Sequence, residues 1–402
     1  MIPSDWTVVR LGDIADVRTG PFGSALHASD YVPNGTPIIT VEHLGQFRLH
    51  GEDAPKVGDV DRARLSKFGL SEGDIVFSRV GSLGRFGLVT EAETGWLFSG
   101  RLLRVRLKKG SARFVYHQLC TAGFIQQIES VAVGQTMPSL NTVIVNNLKV
   151  FLPPTLEEQE AIAEALSDAD SLVESLDALI AKKRDMKQAA MQQLLTGRTR
   201  LSGFSDEWER TPIGAYAQIS KGKGLSREAV AESGHYPCLL YGELFTTYGR
   251  VARHVVSHTN VNDGVLSERG DVLMPGSTTT SGADLATATA LLLDGVRLGG
   301  VINVIRPNLK RVDSRFLAYL INAGLRAEVS KRAQGITIHH LYGKEIAEIE
   351  VRVPSLDEQR VIADVCEDLD SEIDALVSQR EKADLVKQGM MQELLSGRVR
   401  LV

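Results

Sequence analysis

A chain of 402 residues, 43% hydrophobic and with a net charge of −5, has the length for two or three domains and the composition of a globular protein. It contains no apolar run near the roughly 18–20 residues that span a bilayer, and its opening, MIPSDWTVVRLGD, lacks the basic-then-apolar layout of a secretory signal. Cys120, Cys238 and Cys366 are too scattered for a disulfide framework or a metal cluster, so a reducing cytoplasm is the expected setting.

Charge is unevenly spread, at about +2 over residues 1–150, −3 over 151–201, +1 over 202–352 and −5 over 353–402. Neither longer segment is basic enough to hold nucleic acid non-specifically alone, so a nucleic-acid function would need a basic partner.

Residues 1–153 read as an α/β segment. Strand-like runs between turn residues, such as GTPIITVEHL, are followed by the helical stretch SARFVYHQLCTAGFIQQIES. In RLLRVRLKK, alternation puts Arg104, Arg106 and Lys108 on one side and Leu103, Val105 and Leu107 on the other. A basic strand edge of this kind suits phosphate contact, and a solvated strand face gives the same pattern. SRVGSLGR offers Ser78, Arg79, Ser82 and Arg85 on a glycine-rich loop that opens no helix. VGQTMPSLN offers Gln135 and Thr136.

Residues 154–201 carry the punctuation of one long helix. Thr155 stands three residues before Glu158, the capping-box spacing, and Gly197 follows LLT where a helix stops through a left-handed residue. Between them Ile162, Leu166, Ala169, Val173, Leu176 and Ile180, then Ala190 and Leu194, recur at spacings of three and four. That is a heptad seam over about 40 residues, roughly 60 Å of helix.

Residues 202–353 repeat the first segment's landmarks with divergent loops. Glu207–Trp208 matches Asp5–Trp6, IGAYAQISKG matches LGDIADVRTG, GDVLMPGSTT matches GDIVFSRVGS, and QGITIHHLY matches VGQTMPSLN. DSRFLAYLINAGLRAEVSKRA is again helical, and EIAEIEVRVP reads as a strand. KGKGLSRE offers Lys221 and Lys223, PGSTTTSG offers Ser277 to Thr280, and QGITIHHLY offers Thr337 and His339.

Residues 354–402 repeat the long helix. Pairing Pro154–Leu201 with Pro354–Leu401 leaves about 21 of 48 positions identical, too many for composition alone. Ser355, Glu358 and Gly397 repeat the start and stop signals, and the stripe runs Ile362, Cys366, Leu369, Ile373, Leu376, then Ala383, Met390 and Leu394. Lys183, Lys187, Arg380 and Lys387 interrupt it. So narrow a stripe on so long a helix predicts that the two repeats pair, antiparallel, with each other.

Catalytic motifs are missing from the sequence. There is no Walker A pattern, no complete dinucleotide fingerprint, no nucleophile elbow around Ser78, Ser139 or Ser277, and no Asp-Pro-Pro-Tyr or Asn-Pro-Pro-Tyr of the adenine-methylating enzymes. His339–His340 has no carboxylate or thiolate clustered with it, so metal ligation is not expected.

Two segments of about 150 residues, closing with PPTLEEQEAI or PSLDEQRVI and then a helix ending LLTGRTRL or LLSGRVRL, resemble the specificity subunit of type I restriction–modification enzymes. The resemblance covers essentially the whole chain. It implies an α/β (mixed) fold class: target-recognition domains at 1–153 and 202–353, and helices at 154–201 and 354–402 forming an antiparallel coiled coil with pseudo-twofold symmetry. It further implies that the chain is non-catalytic by itself and that double-stranded DNA is read as a bipartite site, one half per domain. The helices would set the spacing and dock two methyltransferase subunits, and restriction/translocase subunits would join them. S-adenosylmethionine, ATP and Mg would sit on those partners, with no cofactor in this chain. DNA contact would fall to Arg79, Ser82, Arg85, Gln135 and Thr136 in the first domain, with Arg104 and Arg106 on the basic strand. In the second it would fall to Lys221, Lys223, Ser277, Thr278, Thr337 and His339. Two other readings are a coiled-coil scaffold whose flanking domains bind protein, and an enzyme with an unrecognised site.

Overall fold

A computed structural model describes residues 3–401 except 22–25, 46–48, 82, 135–137 and 232. Two long helices, Leu156–Leu194 and Leu356–Leu394, follow two α/β segments. The chain forms two compact units whose border cuts both helices near their middles. One unit is Met1–Asp177 with Ser378–Val402; the other is Ala178–Val377. Each unit therefore holds one α/β segment, the first half of the helix that follows it, and the second half of the other helix.

The helix ends form as their residues dictate. Thr155 Oγ1 accepts from Glu158 N at 3.2 Å and Ser355 Oγ from Glu358 N at 3.4 Å, satisfying one exposed donor of each first turn. The expected return bond of the capping box is replaced by a longer reach, since the Glu158 carboxylate is held by Arg400 and that of Glu358 by Arg200. At the far ends Gly197 and Gly397 adopt φ 69° and 70°. Arg198 N donates to Gln193 O and Arg398 N to Glu393 O, at 3.1 and 3.0 Å, and the glycine N–H groups donate to Leu194 and Leu394. That is a Schellman closure in both copies.

The half-helices in each unit run antiparallel. In the first unit Asp170 meets Lys387 and Asp177 meets Arg380; in the second Lys187 meets Asp370 and Lys183 meets Glu372. Numbers rise on one helix as they fall on the other. The four cations that interrupt the seam are thus its cross-links. Asp170–Lys387 and Asp370–Lys187 are copies of one another, whereas Asp177–Arg380 and Lys183–Glu372 each occur once.

The first turns and last turns sink into the α/β cores. Ile162, Ala163, Leu166, Leu394 and Leu395 pack with Trp6 and Phe114; Ile362, Ala363, Cys366, Leu194 and Leu195 pack with Trp208 and Phe316. Gln159 and Gln359, both buried, accept from the N–H of Ser111 and of Asp313 and donate to Pro153 O and Pro354 O. The long helix is thereby fastened to the N-terminus of a shorter helix in its own segment, where Ser111 and Asp313 are the caps.

Both segments build the same antiparallel sheet. In the first the order is Phe86–Leu88, Ile75–Ser78, Leu102–Leu107, Ala15–Thr19; in the second it is Val251–Ala252, Thr289–Leu291, Asp271–Pro275, Ile302–Pro307, Ala217–Lys221, with its edge strand Val251–Ala252 joined in parallel. A second small sheet accompanies each, and pairs Thr7–Arg10 with Lys149–Leu152 and Glu209–Pro212 with Glu350–Val353 tie the segment ends together. GTPIITVEHL gives a strand only over Thr36–Ile39, and in EIAEIEVRVP the strand is confined to Glu350–Val353 behind the short helix Gly343–Ala347. Each predicted helical stretch breaks in two: Ala112–Leu119 and Ala122–Val131, then Ser314–Gly324 and Arg326–Arg332. No helix among the described residues is long and apolar enough to cross a membrane.

Candidate nucleic-acid interface

One end of the main sheet in each segment gathers the loops that the sequence singles out. In the second segment the fully buried strand Asp271–Pro275 runs into Gly276, whose N–H donates to Val301 O at 2.7 Å and whose carbonyl accepts from Leu341 N at 3.0 Å. The chain then continues as Ser277–Thr278, laid antiparallel against His339–His340. Those histidines close a hairpin in which Gln334 and His340 exchange two backbone bonds, at 2.9 and 2.7 Å. Gly335 makes the turn at φ 110°, and a Cβ there would lie 2.0 Å from Ile338 O, so no other residue fits. Thr337 stands exposed at the tip, and His339 is half-buried at the base.

Lys221 ends the neighbouring edge strand in register with Asn303, whose amide donates to Leu341 O at 2.9 Å. The structure thus brings Lys221, Ser277, Thr278, Thr337 and His339 to one sheet end. Lys221 and Thr337 are exposed; Thr278 is only 8% exposed, its hydroxyl 2.8 Å from that of Thr280, which itself donates to Asp284. Lys223 is on the loop just beyond, 3.3 Å from Asp263, with both groups well exposed. Such a surface pair is worth little and leaves the ammonium available.

The first segment repeats the scaffold bond for bond. Arg79 N donates to Arg101 O and Arg79 O accepts from Leu140 N, both at 2.9 Å; Val133 and Ser139 exchange two bonds at 3.1 and 2.9 Å. Gly134 turns the hairpin at φ 108°, and Val80 bridges Ser139 as Ser277 pairs with His340. Gly20 and Gly222 also match, each passing so close to a backbone carbonyl, of Ser99 or of Gly299, that a Cβ would sit about 2 Å from it. Ser82, Gln135 and Thr136 lie outside the described residues.

Arg79 turns inward, its Nε donating to Leu140 O at 2.9 Å and its Nη1 to Gly100 O at 3.4 Å. It fastens the hairpin base to the strand end. Arg85 reaches Val41 O at 3.2 Å from an exposed position.

Of the two strand arginines, Arg104 is withdrawn from the surface, and Arg106 is engaged in an ion pair while still partly exposed. Arg104 is 3% exposed and pairs with Asp16 at 2.6 Å; burial, with the Arg106 charge next, lowers its proton affinity. Arg106 makes two bonds of 2.7 Å to the buried Asp74, which raises its pKa. Its counterpart Arg306 does the same with Asp271, at 2.8 Å twice. These ion pairs hold the sheet together; Arg104 is buried by them, whereas the Arg106 side chain stays 39% exposed with its guanidinium engaged by Asp74. An exposed arginine that the sequence reading passed over is Arg101, beside Arg79 at the strand end; its position at the start of RLLRVRLKK was the available signal.

Among the described residues no group of three or more His, Cys, Asp or Glu side chains is placed to hold a metal ion. The arrangement offers exposed cations, hydroxyls and a rigid hairpin at a sheet end, which is equipment for gripping a backbone and touching base edges.

The sequence profile of the family described as Type I restriction modification DNA specificity domain matches residues 3–182 and 205–383. The proposed specificity subunit of the type I restriction enzyme MjaX of Methanocaldococcus jannaschii is 27% identical, with 100% of this chain and 95% of that one covered. Among solved structures, the S subunit of a type I restriction–modification system from M. genitalium matches with a TM-score of 0.65 at 17% identity, over 98% of this chain and 96% of that one. A chain from a structure of type I complex assembly and conformational transition gives 0.57 at 17% identity, over 99% and 100%. At such identities the structural likeness speaks for the fold, two α/β segments each followed by a long helix.

Proposed function

We propose a division of labour within this chain, which belongs to the type I restriction–modification DNA specificity family and is the DNA specificity subunit of such a system. Each α/β segment reads one half of a bipartite site in double-stranded DNA through its strand-end-and-hairpin platform. The observation that carries this reading is the platform's repetition. Gly276–Leu341 and Ser277–His340 contacts in one segment and Arg79–Leu140 and Val80–Ser139 contacts in the other use the same backbone pattern, while the residues displayed differ.

In this reading Lys221, Lys223, Arg85 and Arg101 meet phosphates, and Ser277, Thr337 and His339 reach base edges; Ser82, Gln135 and Thr136 are the matching candidates of the first segment. The paired helices hold the two readers at fixed spacing and present equivalent docking surfaces to two methyltransferase subunits, with restriction/translocase subunits joining them in the cytoplasm. S-adenosylmethionine, ATP and Mg belong to those partners. The chain's slight acidity fits that arrangement, because basic partners would help enclose the duplex.

Co-expression with the neighbouring methyltransferase, followed by mapping of N6-methyladenine across the host genome, tests the reading. A split motif with two fixed half-sites is expected. Methylation identical to that of the methyltransferase alone would instead favour a protein-binding scaffold.

A further inference from the structure

The hairpin Gln334–His340 carries a side chain that the fold does not use. Ile336 is 95% exposed, more than any other large hydrophobic residue described. Its neighbour Thr337 is exposed as well, and Ile338 is 46% exposed. An isoleucine wholly in water contributes nothing to folding, yet each of its methyl groups is worth roughly a fourfold gain in affinity if an apolar surface covers it. The mount is rigid: the glycine turn at Gly335 and the two bonds between Gln334 and His340 fix its direction before anything binds. Lys221 on the same sheet end would bring a polyanion to it.

On the resulting surface an isoleucine suits one feature of a DNA edge. Hydrogen-bonding edges set against it would lose water without gaining a partner, whereas the C5-methyl of thymine is an apolar knob in the major groove, which is wide enough to admit a β-ribbon. We propose that Ile336 reads a thymine, by packing on its C5-methyl group, in the half-site taken by the second segment. This rests on the DNA-reading function given above and names one of its specificity-determining residues.

Deoxyuridine lacks only that methyl group, so it isolates the contact. The chain in complex with its methyltransferase would be titrated with duplexes in which each thymine of the half-site, on either strand, is replaced in turn. The methylated adenine guarantees at least one such position. One replacement should weaken binding about fourfold. Ile336→Ser should abolish that sensitivity while leaving the other positions unchanged, and Ile336→Val, which keeps a branched apolar tip, should retain it. Both substitutions lie on an exposed tip and leave the core untouched. Wild-type binding indifferent to every uracil, or equal sensitivity in Ile336→Ser, overturns the thymine contact while selective DNA reading stands. A wild-type complex that prefers no half-site over a scrambled duplex overturns the reading itself.

Discussion

Glu158, almost fully buried at the start of the first long helix, receives Arg400 from the end of the second, with Arg400 Nη2 2.7 Å from Oε2. Asp5 takes another guanidinium nitrogen at 2.9 Å, and the two carboxylates raise the arginine's already high pKa. Glu358 and Arg200 repeat the pairing in the other unit, at 2.7 Å twice. Each closing GRxR motif therefore fastens one helix's tail to the other helix's head. Removing the cation leaves a buried carboxylate alone, which is worse than never having had the pair. Arg400→Ala is expected to lower the thermal midpoint by several degrees and Arg400→Lys by less, because lysine keeps the charge and loses only the bidentate grip on the Glu158 carboxylate. Arg400→Ala combined with Glu158→Gln should recover part of the loss in differential scanning calorimetry; additive losses would refute the coupling.

His117 gives the first unit a pH dependence that the second lacks. Its ring lies 3.2 Å from Ser167 Oγ and 3.8 Å from Asp170. Burial first, and the Lys387 charge next, push its pKa down to about 4. The unfolded chain binds the proton near pH 6.5 and the folded one does not, so the stability this residue lends is complete above pH 6.5 and is lost as pH falls towards 4. Between pH 7 and pH 5 the loss should be about 2 kcal/mol. Burial pushes the Asp170 carboxyl up, which gives the opposite slope at the acid end. Tyr319 occupies the matching place in the second unit and donates to Asp370 at 2.7 Å. His117→Tyr should therefore flatten the midpoint–pH curve in that window; an unchanged slope would show that His117 is not its source.

Lys387 and Asp170 form a nearly buried pair, 7% and 10% exposed, 2.5 Å apart on the helix seam. Desolvation makes such a pair a weak source of stability, but breaking it is expensive. Lys387→Met alone should cost about 3–5 kcal/mol in chemical denaturation, while Lys387→Met with Asp170→Leu should come back near wild type. A double replacement as unstable as the single one would mean that the pair fixes helix register as well as neutralising charge.

What the sequence disclosed and what it hid have different physical reach. Gly197, Gly397, Thr155 and Ser355 act within a few residues of themselves, so spacing alone located the helix ends. Lys183, Lys187, Arg380 and Lys387 looked like flaws in a seam because their partners, Glu372, Asp370, Asp177 and Asp170, lie on the other repeat. Arg104 and Arg106 looked like an unpaired basic edge for the same reason: alternation gives the face of a strand, and not that Asp16 and Asp74 pair with it. The strand-end and hairpin platform was half legible. The parallel between QGITIHHLY and VGQTMPSLN pointed to two equivalent hairpins, but that Thr278 is occupied and Ile336 bare depends on contacts across the fold.

Lys221 and Thr337 should separate grip from reading. Lys221→Ala is expected to weaken all DNA sequences alike and to lower the slope of log affinity against log salt by about 1. Thr337→Ala should leave the salt slope alone and reduce discrimination at one base pair of the second half-site. Fluorescence anisotropy of the methyltransferase complex at several salt concentrations, on cognate and single-mismatch duplexes, distinguishes them. If Thr337→Ala lowers affinity for every duplex equally, the hairpin tip is a backbone contact.

The long helices provide the test of the proposed spacer role. Each runs 39 residues without interruption, and an insertion of four residues adds about 6 Å to an α-helix, roughly one or two base pairs of DNA. Matching insertions between Ala178 and Arg184 and beside Gln379 fall in the middle of both helices, away from the α/β cores that bury their first and last turns. Methylome mapping of such a variant should return the two original half-sites separated by a longer spacer. An insertion in one helix alone leaves its partner helix at the original length and should abolish methylation. If the matched insertion changes the half-site letters while the spacer stays fixed, the helices are not what sets the separation.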